Sequence, residues 1–306
     1  MTRIVAIGEC MVEMAPLATK GQFCLGYAGD TLNTAWYLRR LLGASDQIDY
    51  FTAVGTDAVS DKMINFLQQA GIGTRYILRR DDKGVGLYMI QLQNGERSFS
   101  YWRSDSAARS LAARPAPLQA ALDGADLAYF SGITLAILPS EDRTRFLTVL
   151  RWFRDSGGRV VFDPNLRPKL WASPQEMTEA VMQAAAISDI ALPSYDDEAQ
   201  WFGDENPAAT LERYLVVQGG CCVVKNGVDR LLVGEGGQRF GYNPNPDVTV
   251  VDSTAAGDSF NAGFIAARLQ GAGLRDAVQA GASLAAQVVA KRGALVEIAL
   301  PTDPFI

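Results

Sequence analysis

The sequence predicts an α/β fold, with a central, mostly parallel sheet, helices on both of its faces and a small β-flap outside it. Two observations carry the main prediction. Short apolar or β-branched runs alternate with longer amphipathic ones along the chain, and the short runs are apolar at consecutive positions, as in strands buried on both faces. A third observation carries the flap: one segment breaks the alternation with a hairpin signature.

Taken in order, Ile4 to Gly8 is a buried strand that ends at glycine, and Val12 to Tyr27 departs from the regular pattern and belongs to the flap. Thr31 to Leu42 reads as a helix, Asp49 to Gly55 as the second strand and Ala58 to Ala70 as the next helix. Gly86 to Gln93 and Arg97 to Arg103 flank Asn94-Gly95-Glu96; Asn-Gly is a strong hairpin signal because both residues tolerate positive φ. Strands at Asp126 to Gly132, Arg159 to Pro164, Asp189 to Pro193 and Cys221 to Lys225 then interleave with helices at Ser140 to Asp155, Pro174 to Ile187 and Thr210 to Val217. Helices at Asp258 to Gln270 and Leu274 to Lys291 close the chain. In such a sheet, ligands belong at the carboxyl ends of the strands.

Composition narrows the function. The 306 residues are 48% hydrophobic and 20% charged, enough for one large α/β domain with a well-buried core. A formal net charge of −6, with no long Lys/Arg run, argues against a nucleic-acid partner. No run approaches a membrane span, and Met1 leads directly into a strand, so a cytoplasmic protein is expected. Cys10, Cys24, Cys221 and Cys222 lack metal-site or redox spacing and are expected to be reduced thiols. The chain has no histidine, which excludes Ser-His-Asp and Cys-His nucleophile systems and the His-Glu-x-x-His zinc proteases. Acid–base chemistry falls to Asp, Glu, Lys or Tyr.

The segment from Val248 to Phe264 carries the chemistry. A short strand is expected to end at Asp252, with small residues following and a helix beginning near Gly257. Ala255, Ala256 and Gly257 leave backbone amides open at a helix N-terminus, where the helix dipole also favours an anion. Asp258, in the first turn, is within reach of the same anion.

Asp252-Ser253-Thr254-Ala255-Ala256-Gly257-Asp258 resembles the D-T-x-G-A-G-D signature of the ribokinase-like (PfkB-type) carbohydrate kinases, with Ala255 in place of the first glycine. Ala28-Gly29-Asp30-Thr31-Leu32-Asn33-Thr34-Ala35 resembles the G-G-x-x-x-N-x-A segment of that family, and Val54-Gly55-Thr56-Asp57 its V-G-x-D. The resemblance extends from Ile4 to Ala294. It implies one ribokinase-like three-layer domain over 1–306, with a β-lid formed by segments at about 12–27 and 86–103. It also implies ATP, Mg2+ and a sugar as ligands, with a monovalent cation as a further candidate.

In that family the residue matching Asp258 is the catalytic base, and the loop matching Ala255, Ala256 and Gly257 holds the transferring phosphoryl group. Lys225-Asn226-Gly227 matches the nucleotide-side K-x-G region, although on sequence alone a solvated strand-end lysine remains open. Asn165 and Asp197 match the phosphate and magnesium network, with Asp197 acting through water; the usual N-x-x-E reads Ser194-x-x-Asp197.

Arg103 ends the hairpin and Arg167 follows a buried strand. Two converging arginines suit a carboxylate, whereas two surface ion pairs are the ordinary alternative. The segments around Gly29, Tyr88, Tyr101, Ser131 and Asn165 are similar to those of the 2-keto-3-deoxygluconate kinases within the family, some of which share the Ala255-Ala256 pair. That resemblance places Gly29, Asp30, Asn33, Tyr88, Tyr101, Arg103, Arg167 and Asp258 around a sugar acid phosphorylated on its 6-hydroxyl. It leaves preference between the D-gluconate- and D-galactonate-derived keto acids open. A homo-oligomer formed through the lid is also expected.

Three rival functions fit parts of the sequence. A fructokinase or ribokinase is the first, and a sugar-binding regulator that has lost catalysis is another, against which the intact Asp258 argues. A nicotinamide oxidoreductase is weaker still, because Ile7-Gly8-Glu9-Cys10 stands where G-x-G-x-x-G would follow the first strand.

Overall fold

Strand side chains alternate between two faces, so a strand covered on both sides needs apolar residues throughout. β1 (Arg3–Ile7) does this: Ile4 and Ala6 enter one core cluster, Val5 and Ile7 the other. The structure, a computed structural model, describes residues 1–300 apart from 18, 20, 94, 95 and 246.

After β1 come β2 (Met11–Pro16), β3 (Phe23–Ala28), α1 (Asp30–Leu41), β4 (Gln47–Phe51), β5 (Ala53–Gly55), α2 (Ala58–Gln69) and β6 (Leu78–Arg80). Next are β7 (Leu87–Gln93), β8 (Glu96–Trp102), α3 (Pro115–Leu122), β9 (Leu127–Ser131), α4 (Gly132–Ile137), α5 (Ser140–Asp155) and β10 (Arg159–Asp163). The chain continues through α6 (Pro174–Ala186), β11 (Ile190–Ala191), α7 (Tyr195–Phe202), α8 (Pro207–Gln218) and β12 (Cys221–Val224). β13 (Leu231–Glu235), β14 (Gln238–Tyr242), α9 (Ala256–Leu269) and α10 (Leu274–Val289) complete it.

The main sheet runs β14-β13-β12-β11-β10-β9-β1-β4. Pairing is parallel from β4 through β12, and antiparallel only at the β12-β13-β14 edge. One core gathers residues of α1, α2, α9 and α10 on one face, and the other gathers α3, α4, α5, α6 and α8 on the opposite face, giving three layers. A separate four-stranded sheet, β3-β2-β7-β8, is built from the two segments expected to form the flap. The Asn94-Gly95 turn of its hairpin lies outside the described residues, while β7 and β8 pair as expected from Leu87 opposite Trp102 to Gln93 opposite Glu96.

Two sequence expectations are corrected. Asp49 to Gly55 is not one strand: the run breaks at Thr52, because β5 leaves the main sheet to pair with β6. The segment before Asp252 is not a strand either; the amides of Val251 and Asp252 both donate to the carbonyl of Val289, the last residue of α10, at 2.7 and 3.1 Å.

Candidate active site

The carboxyl ends of β1, β9, β10 and β12 open toward the N-terminus of α9. Asp252 shapes the approach: its Oδ1 accepts from the amide and hydroxyl of Thr254 at 3.1 and 2.7 Å, and its Oδ2 from the amide of Gly293 at 2.8 Å. Ala255 caps α9 at φ 60°, a left-handed conformation that costs a residue with a Cβ about 1 kcal/mol or more. Of the amides expected to face an anion, that of Ala256 is engaged at 3.2 Å with the carbonyl of Ser253. Helix geometry leaves those of Gly257 and Asp258 without an intrahelical acceptor. A Cβ on Gly257 would lie 3.4 Å from Lys225 Nζ, so the helix start and the lysine share one corner.

Asp258 is partly buried there, and its Oδ2 accepts from Asn33 Nδ2 at 2.8 Å. Burial pushes its carboxyl up to about 7, with the negative charges of Asp30 and Asp163 adding to the rise; the Asn33 hydrogen bond and Lys225 oppose it. The other end of the Asn33 amide, Oδ1, is buried and has no partner among the described residues. Gly29 begins this turn because no side chain fits: a Cβ would lie 2.2 Å from the carbonyl oxygen of Glu9.

Lys225 is not a solvated strand-end lysine. Its Nζ lies 3.3 Å from Asp163 Oδ2 and 3.2 Å from Asn261 Oδ1, within a buried chain that continues from Asn261 Nδ2 to Asp163 Oδ2 at 2.6 Å and to the Tyr129 hydroxyl at 3.1 Å. Thr34 Oγ1 is 3.1 Å from the same hydroxyl and from the backbone carbonyl of Asp258. Burial first, then Asp163, Asp258 and Asp30, hold the Tyr129 phenol well above its ordinary value, so it stays neutral. Asp163, Asn261 and Tyr129 escaped the sequence reading; the available signal was an Asp, an Asn and a Tyr inside apolar runs. Asn226 and Gly227 form the turn after Lys225, closed by the Asp229 amide on the carbonyl of Asn226 at 2.8 Å.

Asn165, expected on the nucleotide side, donates from Nδ2 to Asp30 Oδ2 at 2.7 Å, linking it to the acceptor side. It holds φ 34°, which asparagine tolerates better than most residues. Arg167 Nη1 lies 2.7 Å from the carbonyl of Leu166 and 3.6 Å from Asp197 Oδ2, and half of its side chain is exposed. Burial raises the carboxyl of Asp197 despite that arginine. The next residue, Glu198, anchors α7: it accepts from Arg213 and from the Tyr214 hydroxyl, each at 2.9 Å.

On the small sheet, Tyr88 is buried, donates to Glu13 and faces Tyr101 across the strands, with ring centroids 5.9 Å apart. Tyr101 itself is 53% exposed on the edge strand β8. Arg103 is engaged by Glu9, and so is an ion-paired arginine as the ordinary reading supposed, but one largely withdrawn from the surface. Tyr88 and Met11 belong to a small apolar cluster against which Ala255 packs, so this face of the sheet lies against the cap of α9.

Known proteins match this chain along nearly their whole length. The 2-dehydro-3-deoxygluconokinase of Dickeya dadantii is 42% identical, covering 96% of this chain and 97% of its own. That of Haemophilus influenzae is 39% identical, covering 97% and 96%. Among solved structures, a putative ribokinase II from E. coli in complex with ATP and Mg2+ superposes with a TM-score of 0.82 at 22% identity, covering 96% of this chain and 94% of that one, a likeness of fold. Residues 1–301 match the pfkB carbohydrate kinases, and the chain belongs to that family.

Proposed function

We propose that the protein transfers the γ-phosphoryl group of ATP to the 6-hydroxyl of 2-dehydro-3-deoxy-D-gluconate. The observation that carries the reading is the Asn33–Asp258 pair: a partly buried carboxylate at a helix N-terminus beside a buried amide oxygen that lacks a donor. A sugar acceptor supplies what both lack: one hydroxyl donates to Asn33 Oδ1, and the attacking hydroxyl gives its proton to Asp258. The acid acceptor is supported by the names of relatives at 39% and 42% identity over nearly the whole chain. ATP with Mg2+ is what the E. coli fold neighbour holds.

In this reading the amides at the start of α9, through Ala255, Ala256 and Gly257, and Lys225 steady the transferring phosphoryl charge. Asn226 and Gly227 border the nucleotide beside them. A carboxylate is too weak a base to ionise an alcohol beforehand, so the proton reaches Asp258 late, as the O–P bond forms in a loose transition state. Positioning and charge stabilisation supply most of the acceleration. We assign Asp197, whose carboxyl is raised by burial, with Asn165 to the magnesium side through water. Bound there, the ion would neutralise phosphate charge. Gly29, Asp30, Asn33, Tyr88, Tyr101, Arg103 and Arg167 surround the acceptor.

The test is ADP release with ATP and Mg2+ against a panel of 2-keto-3-deoxygluconate, 2-keto-3-deoxygalactonate, fructose and ribose. A higher kcat/KM for a neutral sugar than for either acid would defeat the acid reading. We further propose that a second copy covers the small sheet, which exposes Phe23, Leu25, Phe99, Tyr101 and Trp102. A monomer by sedimentation at micromolar concentration would contradict that.

A further inference from the structure

Glu9 follows β1 at the carboxyl edge of the main sheet, and its side chain is completely buried. A buried carboxylate is costly unless it is paired and hydrogen-bonded. Both partners of Glu9 come from one segment just beyond β8: Arg103 Nη2 donates to Oε2 and Ser106 Oγ to Oε1. The amide of Ser106 donates in turn to the carbonyl of Arg103 at 3.2 Å, closing a ring that joins the small sheet to the end of β1. Gly86 seals this ring, since a Cβ there would lie 2.8 Å from Glu9 Oε1 and 3.2 Å from Arg103 Cβ. One donor is left over. Arg103 Nε is buried and has no partner among the described residues, although a buried N–H of a charged group is expensive to leave unpaired.

We infer that Glu9 is a positioning residue for acceptor recognition: by holding Nη2 it fixes the plane of the Arg103 guanidinium, so that the unpartnered Nε edge meets the carboxylate of the acceptor. The inference rests on the sugar-acid reading above. Ion pairing with Glu9 also cancels the charge of Arg103, so the site offers a carboxylate a direction more than a net charge. A bridge that served only to fasten the small sheet would have no reason to leave a guanidinium donor unused in the interior.

The experiment is a double-mutant cycle on Glu9→Gln and Arg103→Ala, measuring KM for 2-keto-3-deoxygluconate, KM for ATP and kcat. Glu9→Gln is expected to raise the acceptor KM about tenfold in the wild-type background and less than about twofold in the Arg103→Ala background, because coupled residues are not additive. The ATP KM should stay within about twofold in both. Equal losses in the two backgrounds, or a matching rise in the ATP KM, would overturn the inference while the acid reading stood. An Arg103→Ala variant with an unchanged acceptor KM would likewise overturn the inference alone, whereas an enzyme active on neutral sugars alone would overturn both. Should Glu9→Gln fail to fold, Ser106→Ala removes one of the two hydrogen bonds on Glu9. It is expected to raise the acceptor KM about threefold, and only where Arg103 is present; an equal rise without Arg103 would again overturn the inference.

Discussion

Asn33 Nδ2 donates to Asp258 Oδ2 at 2.8 Å, joining the first turns of two helices 225 residues apart in sequence. The bond favours the charged carboxylate, against burial and the neighbouring Asp30, in a group pushed up to about 7. In the unliganded enzyme, kcat/KM should therefore rise with pH through about 7. Asn33→Ala removes the opposing bond and should move that limb to higher pH. A pH–rate profile with the same limb in both proteins would show that Asp258 is not the titrating group.

Replacing Asp258 with Asn keeps the shape and an acceptor for Asn33 but removes the proton acceptor. A loss in kcat of about 10²–10⁴-fold is expected, with ATP affinity nearly unchanged by calorimetry. Wild-type turnover would exclude Asp258 as base.

The same substitution should stabilise the fold at alkaline pH. The folded carboxyl titrates at about 7, above its ordinary 3.8, so folding takes up a proton between those values. The cost of ionised Asp258 is absent below about 4, grows as pH rises through this window and is complete above about 7. Asp258→Asn should gain on the order of 2 kcal/mol at pH 8, less than the full shift implies because the site is partly open to solvent, and little at pH 4. Denaturant melts at both values check the sign.

Ala255 holds φ 60°, where a Cβ is unfavourable. Ala255→Gly should stabilise the protein by about 1 kcal/mol, because the relief of strain exceeds the entropy cost of glycine in the unfolded chain. A lower melting temperature would refute this.

Gly257→Val should crowd the corner shared with Lys225 Nζ, 3.4 Å from the position of a Cβ. The ATP KM should rise or kcat fall about tenfold or more, with the acceptor KM little changed. Unchanged kinetics would mean that this corner does not receive the phosphoryl group.

Arg167 is half exposed, and its ion pair with Asp197 is long at 3.6 Å, so the side chain can turn to a new partner. Arg167→Lys should weaken the keto acid severalfold, on the order of 1 kcal/mol, because an ammonium lacks the two-point grip, and should spare a neutral amide analogue. Equal losses for acid and amide would make Arg167 structural.

Local pattern alone determined the alternation of β1, β9, β10, β11 and β12 with α5, α6 and α8, the second sheet built from the segments near 12–27 and 86–103, and the small-residue helix start that carries Asp258, but not α3, α4, α7 or the β13-β14 edge. These properties are legible because backbone periodicity and helix-terminus chemistry depend on neighbours in sequence. Tertiary structure decided what depends on distant partners. Thr52 breaks an apolar run only because β5 has β6 to pair with, and the amides of Val251 and Asp252 turn to Val289 instead of to a strand. Whether Lys225 was solvated or held rested on Asp163 and Asn261, and the state of Arg103 on Glu9, 94 residues earlier. A buried polar group must find its partner wherever the fold supplies one, and in sequence Asp163, Asn261 and Glu9 are only polar residues among apolar ones.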